Sequence, residues 1–383
     1  MINRFGTSFF VSTLLSLLLV TGGCTKKNNQ TDAANKDPKV AETEKAAASP
    51  TVKGIDYDRR AVAINLEEEP KTLDAQKATD TIAMMILSHS NEGLMRMDPA
   101  NRPFPAQAES WKMVSPTEYT FKIRKGAKWS DGKQVTAQDF VYSWQRAVDP
   151  KTASEYAFIM YPVKNAAKIN EGKAKVDTLG VTAIDDLTLN VKLENPTGYF
   201  LRLLSFVTYY PARQDFVEKQ GEGYAADADK LLYNGPFLIT EWKHNASLRM
   251  TKNQDYWNKD NIWLNEINMP YLIRDMNSEF NMFKDGKYGL VWQLPKELLT
   301  EAQKSKAQIR KYSDGSVWYL QVNTTRKVTG NKNFRKALQV AMDREEFVNS
   351  IYGIPGTRPI YGIIPSYMPG VKKSYGEEYS VKF

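Results

Sequence analysis

Apolar and polar residues alternate most clearly between positions 119 and 150. Tyr119, Phe121 and Ile123 alternate with Thr120 and Lys122, the two-residue period of a strand with one buried face. Gly126 and then Ser130-Asp131-Gly132 supply turn residues. Thr136-Ala137-Gln138-Asp139 reads as the start of a helix, a capping box with Asp in place of the usual Glu. Phe140, Val141, Trp144 and Val148 recur at helical spacing, and Asp149-Pro150 stops the helix.

The pattern predicts further elements along the chain. Residues 61–66 read as a strand containing Val62 and Ile64. A helix capped by Thr79 or Asp80 covers Ile82, Met85 and Ile86 and closes near Gly93. Its methionines are expected to fill core. Leu187, Leu189, Val191 and Leu193 alternate with polar residues as a second half-buried strand, and residues 199–206 read as a short buried helix. Asn234-Gly235-Pro236 opens a hairpin, outbound over 237–242, turning at His244-Asn245 and returning over 247–250. Residues 252–257 form a polar and aromatic loop, 317–323 a strand and 334–342 a helix. Asp343 caps a following helix that ends at Tyr352-Gly353. Interleaved strands and helices of this kind predict an α/β or α+β protein with more than one lobe.

Composition changes this picture little. The chain has 383 residues, enough for two or three domains, and is 42% hydrophobic and 25% charged. Its net charge of +8 raises the question of nucleic acid. Lys and Arg are scattered among acids without a basic block, so no nucleic-acid partner is expected. One cysteine, Cys24, excludes an internal disulfide and a thiolate cluster. His89 and His244 are the only histidines and sit in no ligand-spaced motif, so no metal site is expected and both are read as partly exposed polar residues. Neither a repeat period nor a glycine-rich phosphate loop occurs, and no cofactor is expected.

The N-terminus reads as an address. Arg4 precedes an apolar run over residues 9–20 that is too short to span a bilayer stably. Thr21-Gly22-Gly23 then leads into Cys24, which resembles a lipoprotein signal over residues 1–23 with Cys24 as the lipidated residue. An ordinary secretory peptide with a cysteine nearby is the alternative. Residues 24–54 carry almost no large apolar side chain and read as a disordered tether.

Beyond this physical reading, Trp129-Ser130-Asp131-Gly132 followed by the run from Val135 to Trp144 resembles the signature region of the bacterial peptide-binding proteins of ABC importers. Glu69-Pro70-Lys71-Thr72-Leu73-Asp74, Asn91-Glu92-Gly93-Leu94 and Ala108-Glu109-Ser110-Trp111 extend the resemblance, as do Asn234-Gly235-Pro236-Phe237, Asp255-Tyr256-Trp257-Asn258 and Phe334-Arg335-Lys336-Ala337-Leu338. The similarity implies an α/β two-lobed clamshell of the periplasmic-binding-protein type (class II-like) with an extra domain. It places the first lobe at 55–92 and 214–315, the extra domain at 93–213 and the start of the second lobe at 316–383. It implies an extended peptide gripped through its main chain, a membrane permease as partner, a cell-envelope location on the periplasmic side and a monomer. By position in the family pattern, Thr79, Asp80 and Thr81 would offer backbone contacts, Tyr156 an aromatic near the ligand, and Asn234 and Gly235 a loop at the cleft. Tyr319, Gln321 and Asn323 would face them from the other lobe, with Gln321 standing where an acid is expected. Relatives continue past the point matching Phe383, so the second lobe is expected to be incomplete here and peptide binding by this chain alone weak or absent.

Other readings stay open at this stage. The same clamshell takes other cargo in relatives, including nickel complexes, haem and murein peptides. A non-transporting lipoprotein built on a decayed clamshell is a further possibility. An envelope peptidase is the enzymatic alternative. Glu68-Glu69 would be the carboxylates for it, but as loop neighbours they are expected to be solvated, so no catalytic residue is assigned.

Overall fold

The computed structural model describes residues 53–99, 102–310, 316–354, 356–365, 368 and 370–379. The expected export signal, Cys24 and nearly all of the tether lie outside the described residues. In chain order the strands are β1 (Ile55–Asp56), β2 (Ala61–Ala63), β3 (Met95–Met97), β4 (Pro103–Pro105), β5 (Ala108–Ser115), β6 (Glu118–Ile123), β7 (Val181–Asp185), β8 (Thr188–Lys192), β9 (Phe237–Lys243), β10 (Ser247–Lys252) and β11 (Glu266–Met269). The helices are α1 (Thr81–Ser90), α2 (Ala137–Val148), α3 (Ala166–Asn170), α4 (Phe200–Leu203), α5 (Gln214–Gln220), α6 (Met276–Lys284), α7 (Lys296–Lys304), α8 (Lys332–Ala341), α9 (Arg344–Glu346) and α10 (Tyr375–Glu378).

Two sheets carry two separate apolar cores. The first runs β1-β2-β11-β10-β9, antiparallel except where β2 lies parallel to β11 with Val62 opposite Ile267. Parallel neighbours need a crossover connection, and here it is very long: everything from α1 to β10 lies between them in the chain. Val62, Leu248, Met250, Ile267 and Met269 bury one side of this sheet together with Ala83, Ile86 and Leu87 of α1. Met84 is buried in the same core, whereas Ile82 and Met85, read as part of the apolar face, are only half-buried against it.

The second sheet runs β5-β6-β8-β7, all antiparallel. Tyr119, Phe121 and Ile123 bury their alternate side as the two-residue period requires. They share a core with Leu189 and Val191 of β8 and with Phe140, Trp144 and Val148 of α2. Asp139 organises the start of α2: its Oδ2 accepts from the Thr136 N–H at 2.9 Å and from Trp129 Nε1 at 3.0 Å. One carboxylate thus caps the helix and fixes the preceding turn. Farther along α2, Ser143 Oγ donates to the Tyr210 carbonyl at 2.8 Å, and Trp144 Nε1 to the Tyr209 carbonyl at 2.9 Å.

Several expectations are corrected. The ladder of the first strand stops at Ala63, with a single bridge from Ile64 to Leu290. Asn65 instead turns its amide to the backbone of Ile273, donating at 2.7 Å and accepting at 3.0 Å. The helix read over 199–206 shortens to α4 followed by a separate 3-10 turn at Val207–Tyr209. Residues 317–323 form no strand, and Trp318, Tyr319 and Leu320 are exposed. An extended segment holds that form only with a neighbour to take its backbone bonds, and none of the described strands pairs with it. His89 is buried: its Nδ1 bonds the Met85 carbonyl at 2.7 Å within α1, and burial lowers its pKa. Glu69 is half-buried rather than fully solvated, accepting from Trp242 Nε1 and the Asn245 N–H and lying against His244 Nδ1. Among the described residues no helix is long and apolar enough to cross a membrane, and no group of His, Cys, Asp and Glu could hold a metal ion.

Beside Asn65 lies a buried acid. Glu279 on α6 is pushed up to about 7, by desolvation first and then by the charge of Glu67. Its Oε1 and the buried Tyr288 hydroxyl have no hydrogen-bond partner among the described residues. A carboxyl raised in the folded state favours the protonated form. Its stabilising share is therefore complete below about 4.5, its ordinary value, and is lost as pH rises through about 7. Urea unfolding midpoints measured from pH 4 to 8 should fall across that window in the wild type, and Glu279→Gln should remove this component of the slope.

Candidate functional site

The positions read as candidate ligand contacts fall into two groups. Asp80 ends an extended approach (φ −99°, ψ 153°), and its Oδ1 accepts from the Ala83 N–H at 2.8 Å, capping α1. An Asp at this position satisfies a helix-end donor that would otherwise be orphaned. The backbone N–H and C=O of Thr79 make no hydrogen bond among the described residues. Tyr156 stands half-buried with its ring edge-on to Phe158 at 5.7 Å and to Phe206 at 5.6 Å. Phe206 packs against both cores, which puts Tyr156 over their junction. Desolvation, then the charges of Glu155 and Asp80, raise the Tyr156 phenol, so it stays neutral at pH 7 as a hydrogen-bond donor. The Asp80 charge is felt at the Tyr156 phenol, and no hydrogen bond or ring contact joins Tyr156 to residues 79–81 among the described residues.

Asn234 and Gly235 lie deeper, as part of what supports this surface. Asn234 Oδ1 accepts from the Glu92 N–H at 2.9 Å while Nδ2 donates to the Glu92 carbonyl at 3.0 Å. The side-chain amide thus pairs with one residue's backbone as a strand neighbour would. Gly235 N donates to the Ser90 carbonyl at 3.0 Å. A Cβ on Gly235 would fall 2.7 Å from Asn91 N and 2.8 Å from Ser90 O, so only glycine allows this approach.

Glu92 is the centre of the arrangement and was not singled out from sequence as a site residue. Its buried carboxylate accepts from Tyr256 Oη at 2.7 Å, Trp257 Nε1 at 2.8 Å and Gln107 Nε2 at 2.9 Å, and pairs with Arg96 at 3.3 Å. The Arg124 guanidinium covers the Trp257 ring at 3.7 Å. Burial, then the Glu92 charge, push the Tyr256 phenol well above its usual value, so it remains a donor. The signal available in sequence was an acid in Asn91-Glu92-Gly93-Leu94 directly after an apolar helix. What it bonds to comes from positions up to 165 residues away. A second tie joins the cores at Arg146, which grips Asp74 bidentately at 2.6 and 2.8 Å.

Tyr319, Gln321 and Asn323 are all exposed. Asn323 Oδ1 is used locally, accepting from the Thr325 N–H at 2.9 Å and Oγ1 at 2.7 Å. No hydrogen bond, ion pair or ring contact joins these three to the first group among the described residues.

With this geometry in hand, relatives can be set beside it. The model of the bacterial extracellular solute-binding proteins, family 5 (middle) matches residues 102–382. The chain belongs to this family. It is 36% identical over 330 residues to the oligopeptide-binding protein OppA of Bacillus subtilis (strain 168), covering 83% of this chain and 59% of that one. It is 34% identical over 293 residues to the dipeptide-binding protein DppE of the same organism, covering 76% of this chain and 53% of that one. The substrate-binding domain of an oligopeptide ABC transporter from Bacillus anthracis superposes with a TM-score of 0.76 at 38% identity, covering 84% of this chain and 62% of that one. The α/β fold is thus that of the oligopeptide-binding type of periplasmic binding protein, and the chain spans about three-fifths of the length of these proteins.

Glu92→Ala would take the acceptor from three donors, on Tyr256, Trp257 and Gln107, and from the Arg96 charge, and removing one partner of a buried pair costs about 3–5 kcal/mol. Glu92→Gln keeps the shape but loses the charge and should cost less. Urea midpoints of the two variants check this order; an alanine variant within about 0.5 kcal/mol of wild type, the range of ordinary surface changes, would contradict it.

Proposed function

We propose that this chain is a peptide-binding component of an ABC-type importer, gripping an extended oligopeptide through its main chain and delivering it to a membrane permease. The observation that carries the reading is the Thr79 backbone, unpaired among the described residues and leading into the extended Asp80, in a family whose matched members are named for oligopeptides and dipeptides. Unpaired N–H and C=O groups in an extended stretch offer what an added strand needs. Recognition through amides ignores side-chain identity, which suits a carrier of mixed peptides.

In this reading Thr79, Asp80, Thr81 and Tyr156 touch the ligand, while Asn234 and Gly235 hold the loop behind them. Tyr319, Gln321 and Asn323 are assigned the facing side. Ligand favours a closed state by binding it better than the open one, and closure is what the permease reads. Cys24 supplies a lipid anchor that keeps the body at the envelope surface. A single acyl chain holds a protein only marginally, whereas several anchor it stably. The binding step needs no cofactor or bond chemistry.

Calorimetry of the chain with tri- to pentapeptides of unrelated sequence should give weak binding, with Kd on the order of 10 μM to 1 mM. Tyr156→Ala should weaken it by roughly fivefold, the loss of about 1 kcal/mol of aromatic contact. Submicromolar affinity would overturn the expectation of weak or absent binding, and equal heats from wild type and Tyr156→Ala would remove Tyr156 from the assignment. For the anchor, labelled palmitate should enter the wild type and not Cys24→Ser; equal labelling of the two would remove Cys24 from the assignment.

A further inference from the structure

The tip of the β9–β10 hairpin holds a polar cluster separate from the candidate site. His244 has a carboxylate on each ring nitrogen: Nδ1 lies 2.7 Å from Glu69 Oε1 and Nε2 lies 3.0 Å from Asp227 Oδ1. The Trp242 ring lies against the imidazole with centroids 4.5 Å apart. Glu69 has two further donors, Trp242 Nε1 and the Asn245 N–H, each at 2.9 Å. The Asp227 carboxylate makes no other hydrogen bond among the described residues. Three chain segments meet here: the loop leading from β2 to α1, the hairpin turn, and the loop at 225–230.

Carboxylates only accept, and a neutral imidazole has one N–H. Both contacts are hydrogen bonds together only when the ring is protonated. We propose that His244 is a proton-operated clasp: as imidazolium it ties Glu69 and Asp227 together across the hairpin tip, and on losing its proton it keeps Glu69 and releases Asp227. Glu69 is the partner retained because its contact is shorter and because Trp242 and Asn245 fix its carboxylate independently. Of the other charged groups near the tip, Lys243 and Arg249 face Glu241 and Glu68 faces Arg274, while Asp229 and Lys230 on the 225–230 loop make no ion pair among the described residues.

The direction of the effect follows from the partners. The hydrogen bonds to Asp227 and then to Glu69 raise His244 above the ordinary imidazole value of 6.5. The clasp is therefore complete below pH 6.5 and is lost as pH rises through the higher folded value. The segment released is a tight one. Ala225 sits in the left-handed region at φ 63° and donates to the Lys230 carbonyl at 3.0 Å. Tyr233 Oη still holds the Ala228 carbonyl at 2.6 Å, so release loosens the loop without unfolding it. Next to that loop, the Tyr224 ring lies under the Arg146 guanidinium that grips Asp74. The clasp thus acts on the edge of a tie between the two cores, and it stands whether or not the ligand is a peptide.

Histidine-labelled NMR of the full chain tests this directly, because only two histidines exist and His89, with its pKa lowered by burial, is an internal reference. The His244 midpoint should lie above 6.5 and fall toward it in Asp227→Asn. Hydrogen exchange of amides 225–230, corrected for the intrinsic rate, should quicken several-fold as pH passes the midpoint in the wild type, and not in Asp227→Asn. A wild-type midpoint at or below 6.5, or loop exchange unchanged across it, would overturn the proposal without any variant. Equal midpoints in wild type and a folded Asp227→Asn would do so as well. His244→Gln, checked for folding by near-ultraviolet circular dichroism, should show the fast loop exchange at every pH.

Discussion

One buried carboxylate, that of Glu92, is what the rest of the arrangement depends on. Taking an ion out of water costs several kcal/mol unless donors replace the lost hydration. Here Tyr256, Trp257, Gln107 and Arg96 replace it, and Asn234 pairs with the backbone of the same residue. Hydrogen bonds to a charged group are worth about 1.5–3 kcal/mol each, but the larger effect is mutual dependence. Each donor is itself buried or half-buried, and Tyr256 Oη and Trp257 Nε1 have no other acceptor among the described residues if Glu92 moves. The junction between the helix α1 exit, the 234–235 loop and the 253–257 loop is therefore fixed by one group.

That rigidity bears on the candidate site because the site consists largely of backbone. Thr79 presents main-chain groups, and main-chain groups can be placed only by fixing the segments on either side. Asp80 does so on the helix side by capping α1, and Asp74 does so on the other through Arg146. Tyr156 is held from below by Phe206, which touches both cores. A surface built in this way can bind through amides without demanding one side chain, in keeping with the proposed cargo.

The described residues from 316 onward behave differently. α8 carries Phe334 and Leu338 one turn apart on one side, yet buries no residue. Trp318, Tyr319 and Leu320 stand exposed in a segment whose alternation fits a strand. Local preference is present in both cases. What is missing among the described residues is a neighbour to receive it, and a strand without a ladder has nowhere to place its backbone bonds.

The sequence by itself determined the elements whose signals are local. The period of 119–123, the cap at Thr136 and Asp139, the 237–250 hairpin and the helix after Asp80 all depend on residues within a few positions of one another, and all appear in the structure. The ordered series of motifs from Glu69 to Leu338 likewise made the family legible. Only the tertiary structure decided where charge could be buried. It buried His89 and partly covered Glu69, made Glu92 the hub, set a carboxylate on each side of His244 and withheld a ladder from 317–323. Apart from Arg96, four residues from Glu92, these outcomes rest on partners between 15 and 176 residues away in the chain for the glutamates and His244, on packing against Phe237 for His89, and on a missing neighbour for 317–323. The reason is physical: turns, caps and periodicity are written in short-range geometry, whereas the cost of desolvating an ion depends on which distant donors the folded chain brings to it.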